Sequence, residues 1–106
     1  MRQITVAELK EKLDNGEQLH VLDVREQHEY DEVNINARLL PLSSLKNFET
    51  DAVEDWKGKE IFVHCKSGVR SIQACMLLES AGFTDTVNVE GGILAWLQSY
   101  PDVQLP

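Results

Sequence analysis

Ile61-Phe62-Val63-His64-Cys65-Lys66-Ser67-Gly68-Val69-Arg70-Ser71 is the stretch that decides how this chain is read. Ile61, Phe62 and Val63 are β-branched or aromatic, as in a buried strand. From Ser71 to Ala81 the spacing turns helical, with Ala74, Leu77, Leu78 and Ala81 on one stripe and Gly82 placed to end it. Between strand and helix lies a short loop that opens on a thiol and closes on a guanidinium. A loop in that position collects anions, because unpaired backbone N–H groups and the positive end of the following helix face it. Here the anion site comes with a nucleophile.

The flanking sequence repeats the alternation. Thr5-Val6-Ala7-Glu8 is a capping box that predicts a helix from about residue 6 to Asp14, with Val6, Leu9 and Leu13 inward. His20 to Val24 reads as a buried strand, and Arg25 to Tyr30 as a short helix or turn. A brief strand is expected near Arg38 to Leu40, ended by Pro41, with Ser43 or Ser44 capping a short helix. Residues 47–59 read as an irregular or helical crossover. Glu60 to His64 is the central strand, Thr86 to Val89 another, and Gly91-Gly92 turns the chain into a last helix, Ile93 to Gln98. Strands alternating with helices predict an α/β fold, a single domain over residues 1–106 of about five mostly parallel strands with helices on both faces. Ligands in such sheets bind beyond the carboxyl ends of the strands, where Cys65, Arg25 and Glu90 to Gly92 would converge.

Bulk properties narrow the partners. The net charge of -8 in 106 residues argues against nucleic acid or an anionic membrane. No apolar run approaches the length of a membrane span, and Met1-Arg2-Gln3-Ile4 begins no secretory segment, so the chain reads as cytoplasmic. The two cysteines, Cys65 and Cys75, cannot build a zinc cluster or a CxxC pair, and no disulfide is expected in a reducing compartment. No metal or other cofactor is called for.

The loop offers several means of favouring a thiolate, the nucleophilic form of cysteine. Backbone N–H groups from Lys66 to Ser71, through Ser67, Gly68 and Val69, form a candidate nest. Arg70 and Lys66 add charge, and Gly68 allows a tight turn. A positive pocket in an acidic protein is therefore expected. Cys75, inside a helix, reads as a packing residue. His64 invites a role as general base, yet neighbours on a strand point to opposite faces, so it should look away from Cys65 in a structural or surface role. His20 and His28 carry no metal spacing. Asp23 can accept hydrogen bonds from the Cys65 loop, pair with an arginine, or simply end its strand. Arg25 and Glu29 are spaced to pair on one helical face. Trp56 and Trp96 read as packing residues. Gly91-Gly92 reads first as a tight turn, with close approach to the loop as the second option.

Taken together, Leu22-Asp23-Val24-Arg25-Glu26, Glu29-Tyr30, Cys65 to Ser71 and Val89-Glu90-Gly91-Gly92-Ile93-Leu94-Ala95-Trp96 resemble the rhodanese family of sulfurtransferases in its small single-domain form. The order and spacing of these pieces cover nearly the whole chain. The resemblance implies that Cys65 takes sulfane sulfur from a small anionic donor such as thiosulfate, or from a persulfide donor, and passes it to cyanide, a thiol or a sulfur-relay protein. Arg70 and Lys66 would orient the donor, Ser67, Gly68, Val69 and Ser71 would bind it, and Asp23 and Arg25 would support the loop. A monomer is the default for a domain of this size. A non-catalytic binding or regulatory module with the same fold is the rival reading. A cysteine phosphatase or arsenate reductase is the third, but those enzymes place five residues between cysteine and arginine, and this chain has four. Relatives commonly carry a Gly-His-Ile-Pro-Gly-Ala segment after Glu29-Tyr30. Here Val33-Asn34-Ile35-Asn36-Ala37-Arg38 replaces it, which leaves that path open.

Overall fold

A computed structural model describes residues 1–105. The order of elements is β1 (Arg2–Ile4), α1 (Val6–Asp14), β2 (His20–Asp23), α2 (Gln27–Glu32), β3 (Arg38–Leu39), α3 (Leu42–Lys46), a 3-10 helix (Asp51–Trp56), β4 (Ile61–His64), α4 (Val69–Ser80), β5 (Thr86–Val89) and α5 (Gly92–Ser99). The strands form one sheet in the order β1-β5-β4-β2-β3. Every pairing is parallel, with Leu22 opposite Val63 and Phe62 opposite Val87. The α/β reading therefore holds, with a wholly parallel sheet in place of a mostly parallel one.

Alternation along β4 divides the core in two. Ile61 and Val63 point to the face covered by α3, the 3-10 helix and α4, where Leu45, Val53, Ala74, Cys75 and Leu78 pack. Phe62 points to the face covered by α1 and α5, against Leu9, Ile93 and Trp96. A strand covered on both faces needs apolar residues at every position, which explains the unbroken Ile-Phe-Val run. Each such side chain, fully buried, contributes roughly 1.5–3 kcal/mol, so the centre of the sheet is its best-anchored part. Trp56 and Trp96 are both buried in these cores, as expected of packing residues.

Local chemistry accounts for most boundaries. The Glu8 N–H donates to the Thr5 hydroxyl and the Thr5 N–H donates to the Glu8 carboxylate, completing the capping box of α1. Three expectations need correction. β1 is a strand the sequence pattern does not announce, since three residues with only Ile4 buried carry no strand periodicity; pairing with β5 makes them one. Neither Ser43 nor Ser44 caps α3: Pro41 holds the N-cap position, and the Ser43 hydroxyl donates to Glu26 instead. α4 begins at Val69, two residues earlier than its apolar stripe predicts, because Gly68 (φ 98°) turns the chain directly into the helix. No helix among the described residues is long and apolar enough to cross a membrane.

The segment 33–38 has a path of its own. Asn36 takes a left-handed φ of 67°, and its N–H donates to the Asn34 side chain. Ile35 and Ala37 are buried, and the Tyr30 hydroxyl donates to the Ala37 carbonyl at 2.7 Å. Asparagine tolerates that backbone conformation, so it takes the turn glycine would otherwise make.

Candidate active site

Parallel strands place their carboxyl ends together, and the side chains singled out in the sequence gather at that end. β4 ends at His64 and the loop begins at once. Cys65 is only 1% exposed, at the foot of the loop. The Gly68 N–H donates to Cys65 Sγ at 3.1 Å, and the Ser71 hydroxyl lies 3.4 Å from the sulfur. Burial pushes the thiol up. The Ser71 hydroxyl and the backbone N–H groups of Ser71, Gly68 and Ser67 outweigh it, and the net effect holds Cys65 below its ordinary value. Lys66, Ser67 and Val69 form the exposed outer wall of the loop.

The carbonyls of the loop turn the other way. Ile93 N–H donates to the Cys65 carbonyl at 2.9 Å and Leu94 N–H to the Lys66 carbonyl at 3.1 Å. The first turn of α5 thus satisfies the loop's acceptors, leaving its donors free to face the sulfur. This contact requires Gly92. A Cβ there would sit 2.4 Å from the Cys65 carbonyl oxygen and 2.7 Å from that of Lys66. A Cβ on Gly68 would meet the Gly91 nitrogen at 3.1 Å. Gly91-Gly92 therefore makes both the turn and the close approach.

Behind the sulfur a polar chain that sequence reasoning missed runs from the core out to the exposed Gln3. The Ser71 hydroxyl donates to Asn88 Oδ1, and Asn88 Nδ2 donates to Gln3 Oε1 at 2.9 Å. Ser71 and Asn88 are both buried. The signal available was an asparagine between Val87 and Val89 in a strand covered on both faces, since a buried amide requires partners.

The charged residues pair differently from their sequence spacing. Asp23 takes the Arg25 guanidinium, with Nη2 to Oδ2 at 2.8 Å, and also accepts from the Arg25 N–H at 2.9 Å. Both residues are buried, so removing either would leave an uncompensated charge, a loss of about 3–5 kcal/mol. Arg25 Nη2 donates on to the Val33 carbonyl at 2.8 Å and fastens the end of α2 to β2. Asp23 receives no hydrogen bond from the Cys65 loop among the described residues, so of the three options the arginine pair is the one realised. The expected Arg25–Glu29 carboxylate pair does not form. Glu29 instead binds Arg70 through two parallel bonds, Nη1 to Oε1 at 2.7 Å and Nη2 to Oε2 at 2.8 Å. The hydrogen bonds from Arg70 outweigh burial and, with the Glu26 N–H and the charges of Arg70 and Arg25, depress the Glu29 carboxyl to about 2. The expected positive pocket is therefore narrower than the residue types imply: both arginines are matched by carboxylates, and Lys66 plus the loop N–H groups remain.

His64 looks away from Cys65, as the strand alternation requires. It is buried among Val6, Leu9, Ile35, Val89 and Trp96. Its Nδ1 lies 3.2 Å from the Cys65 carbonyl and its Nε2 lies 3.7 Å from Asp23 Oδ2 without a hydrogen bond. Burial lowers its basicity more than Asp23 raises it, which favours the neutral ring. Its role is structural, and the surface placement is excluded. Cys75 is a free, buried thiol that burial pushes up to about 11. A groove of about 500 Å³ at the amino ends of β2 and β3, lined by Leu19, Arg38 and Trp56, holds none of the candidate residues. Among the described residues no cluster of His, Cys, Asp and Glu is placed to hold a metal ion.

Comparison with known proteins bears on the chain as a whole. A family model described as a rhodanese-like domain matches residues 5–99. A Mycobacterium tuberculosis protein named "Probable adenylyltransferase/sulfurtransferase MoeZ" is 39% identical over 101 residues, covering 94% of this chain and 26% of its own. The chain thus spans about a quarter of that relative's length. An Allochromatium vinosum protein named "Sulfurtransferase" is 29% identical over 97 residues, covering 91% of this chain and 88% of its own. Among solved structures, a rhodanese-like domain protein from Staphylococcus aureus superimposes with a TM-score of 0.76 at 34% identity, covering 91% of each chain.

Proposed function

The chain belongs to the rhodanese-like domain family, and on that premise we propose that it is a sulfurtransferase that carries sulfane sulfur on Cys65. Its kinship with named sulfurtransferases supports the general activity. The observation that carries the reading is the Cys65 sulfur itself, at the foot of a loop whose Gly68 N–H donates to it at 3.1 Å and whose donors hold the thiol below its ordinary value.

The reaction has two halves. The Cys65 thiolate attacks the outer sulfur of thiosulfate, the sulfur–sulfur bond breaks with its electron pair, and sulfite leaves. A persulfide, Cys65–S–S⁻, remains on the enzyme. An acceptor such as cyanide or a thiolate then attacks the terminal sulfur and departs with it, returning the thiolate. This is covalent ping-pong chemistry. The loop N–H groups are preorganised donors for the anionic sulfur in both halves. Lys66 draws in an incoming anion beside the Arg70 that Glu29 holds in place, Ser67, Val69 and Ser71 shape the cradle, and Asp23 with Arg25 fastens the end of α2, which carries Glu29. Because Cys65 is 1% exposed, a donor must present its sulfur end-on. The protein acts as a cytoplasmic monomer in this scheme and hands its sulfur to a small thiophile or a relay protein.

A non-catalytic module of the same fold gives no reason for donors gathered on a buried thiol. The phosphatase reading is opposed by the four-residue spacing from Cys65 to Arg70. Intact mass tests the proposal. Reduced protein treated with thiosulfate should gain one sulfur, about 32 Da, as a persulfide removable by cyanide or dithiothreitol. Cys65→Ser should gain nothing. A wild type that takes up no sulfur from thiosulfate or from a persulfide donor would sink the enzyme reading.

A further inference from the structure

We propose that Glu29 determines the donor specificity of this site: its paired carboxylate cancels Arg70 at the mouth and turns the enzyme from dianionic donors toward alkyl persulfides carrying at most one charge. The inference rests on the sulfurtransferase reading above and narrows its substrate class.

The geometry is that of a fixed mask. Glu29 stands in the first turn of α2 and Arg70 in the first turn of α4, beyond the ends of β2 and β4. Two parallel hydrogen bonds, at 2.7 and 2.8 Å, occupy one edge of the guanidinium. Such a fork-to-fork pair takes two of the guanidinium's five donors and neutralises its charge. Glu29 cannot readily swing aside, because its Oε1 also accepts from the Glu26 N–H at 3.1 Å in the capping box of α2. Its side chain is 21% exposed and that of Arg70 34%, so solvent weakens the pair's field without removing it. The other arginine nearby is spent on Asp23. Lys66 is exposed and has no ion pair among the described residues. Glu90, also exposed, has its backbone against Gly68.

A thiosulfate dianion therefore meets a neutral Glu29–Arg70 pair and one unmatched lysine, where an unpaired Arg70 would have supplied a second cation. An alkyl persulfide loses half as much attraction or less, since the Coulomb energy scales with its charge. Its transfer step balances without a further reactant. Cys65–S⁻ attacks the outer sulfur of R–S–SH, the sulfur–sulfur bond breaks, and RS⁻ leaves and takes up a proton from water. Cys65–S–SH is formed.

The test compares two donors on the full chain: thiosulfate, and the persulfide of N-acetylcysteine methyl ester, whose only ionisable group is the persulfide. Glu29→Gln keeps a hydrogen-bond acceptor for Arg70 and removes the charge. The thiosulfate KM should fall on the order of tenfold, and the persulfide KM by about threefold or less, following the charge ratio. Glu29→Asp, which retains the charge, should keep the wild-type donor ratio. Arg70→Gln leaves the carboxylate uncancelled and should raise the thiosulfate KM more than the persulfide KM, which keeps the proposal testable if Glu29→Gln folds poorly. If Glu29→Gln and Arg70→Gln both keep the wild-type donor ratio, Glu29 merely positions Arg70 and the proposal is overturned. That failure is distinct from failure of the sulfurtransferase reading, in which the wild type takes sulfur from neither donor.

Discussion

Cys65 and Cys75 are the same residue type ten positions apart, and their surroundings drive them in opposite directions. Burial pushes both thiols up. Only Cys65 has enough donors to reverse it, while Cys75 rises to about 11. Ser71 contributes the largest opposing effect at Cys65. Its hydroxyl points to Asn88 while the sulfur is a thiol and can donate to the sulfur once it is ionised. Ser71→Ala should therefore move the pH profile of Cys65 alkylation to higher pH and slow the reaction at neutral pH on the order of tenfold, the worth of one hydrogen bond to a charged group. Iodoacetamide labelling read by peptide mass spectrometry checks this, with Cys75 staying unlabelled. A profile that does not move would leave the backbone donors alone responsible. At this scale the sequence exposed Cys65, Arg70 and the loop, because a thiol, a glycine and two cations at a strand end stand out by type. It hid the Glu29–Arg70 pair, since four-residue spacing within one segment points Glu29 to Arg25. Partners from α2 and α4 have no common signature along the chain.

At the scale of elements, the loop works because α5 closes against it. Ile93 and Leu94 take its carbonyls, and Gly92 leaves the space to do so. Gly92→Ala combines a φ of 56° with a Cβ 2.4 Å from a carbonyl oxygen. It should cost about 3 kcal/mol or more. Gly16→Ala is the control: its φ is 80°, but a Cβ there meets nothing within 4 Å, so only backbone strain of about 1 kcal/mol is expected. Urea denaturation compares the two, and equal losses would refute the close-approach account. Gly91-Gly92 was legible as a turn, because paired glycines mark one. The contact it permits was not, because nothing in the local sequence says which carbonyls lie across from it. Likewise the start of α4 follows from backbone geometry at Gly68, and the apolar stripe begins only where the helix meets the core.

For the whole molecule, His64 is a buried group whose titration is tied to folding. It lies opposite Asp23 in the pairing of β2 with β4, at the centre of the sheet. Its basicity is lowered in the fold, so the unfolded chain binds the proton more readily. Its contribution is complete above the unfolded value near 6.5 and is lost as the pH falls toward the folded one. A second window opens for Glu29 as the pH falls from 4.5 toward about 2, because that carboxyl is also depressed. The urea midpoint should therefore drop between pH 7.5 and 5.5 in the wild type and drop less in His64→Gln. Equal slopes would show that His64 does not govern that window. By itself the sequence determined the α/β class, the strand, loop and helix around Cys65, and the family, because strand composition, helical spacing and loop residue types are local quantities. Only the tertiary structure decided that β1 joins the sheet, that Asn88 and Gln3 stand behind Ser71, that α5 seals the loop, and that Glu29 matches Arg70. Each of these is a contact between distant segments, and the parallel sheet brings them together by gathering the carboxyl ends of its strands at one mouth.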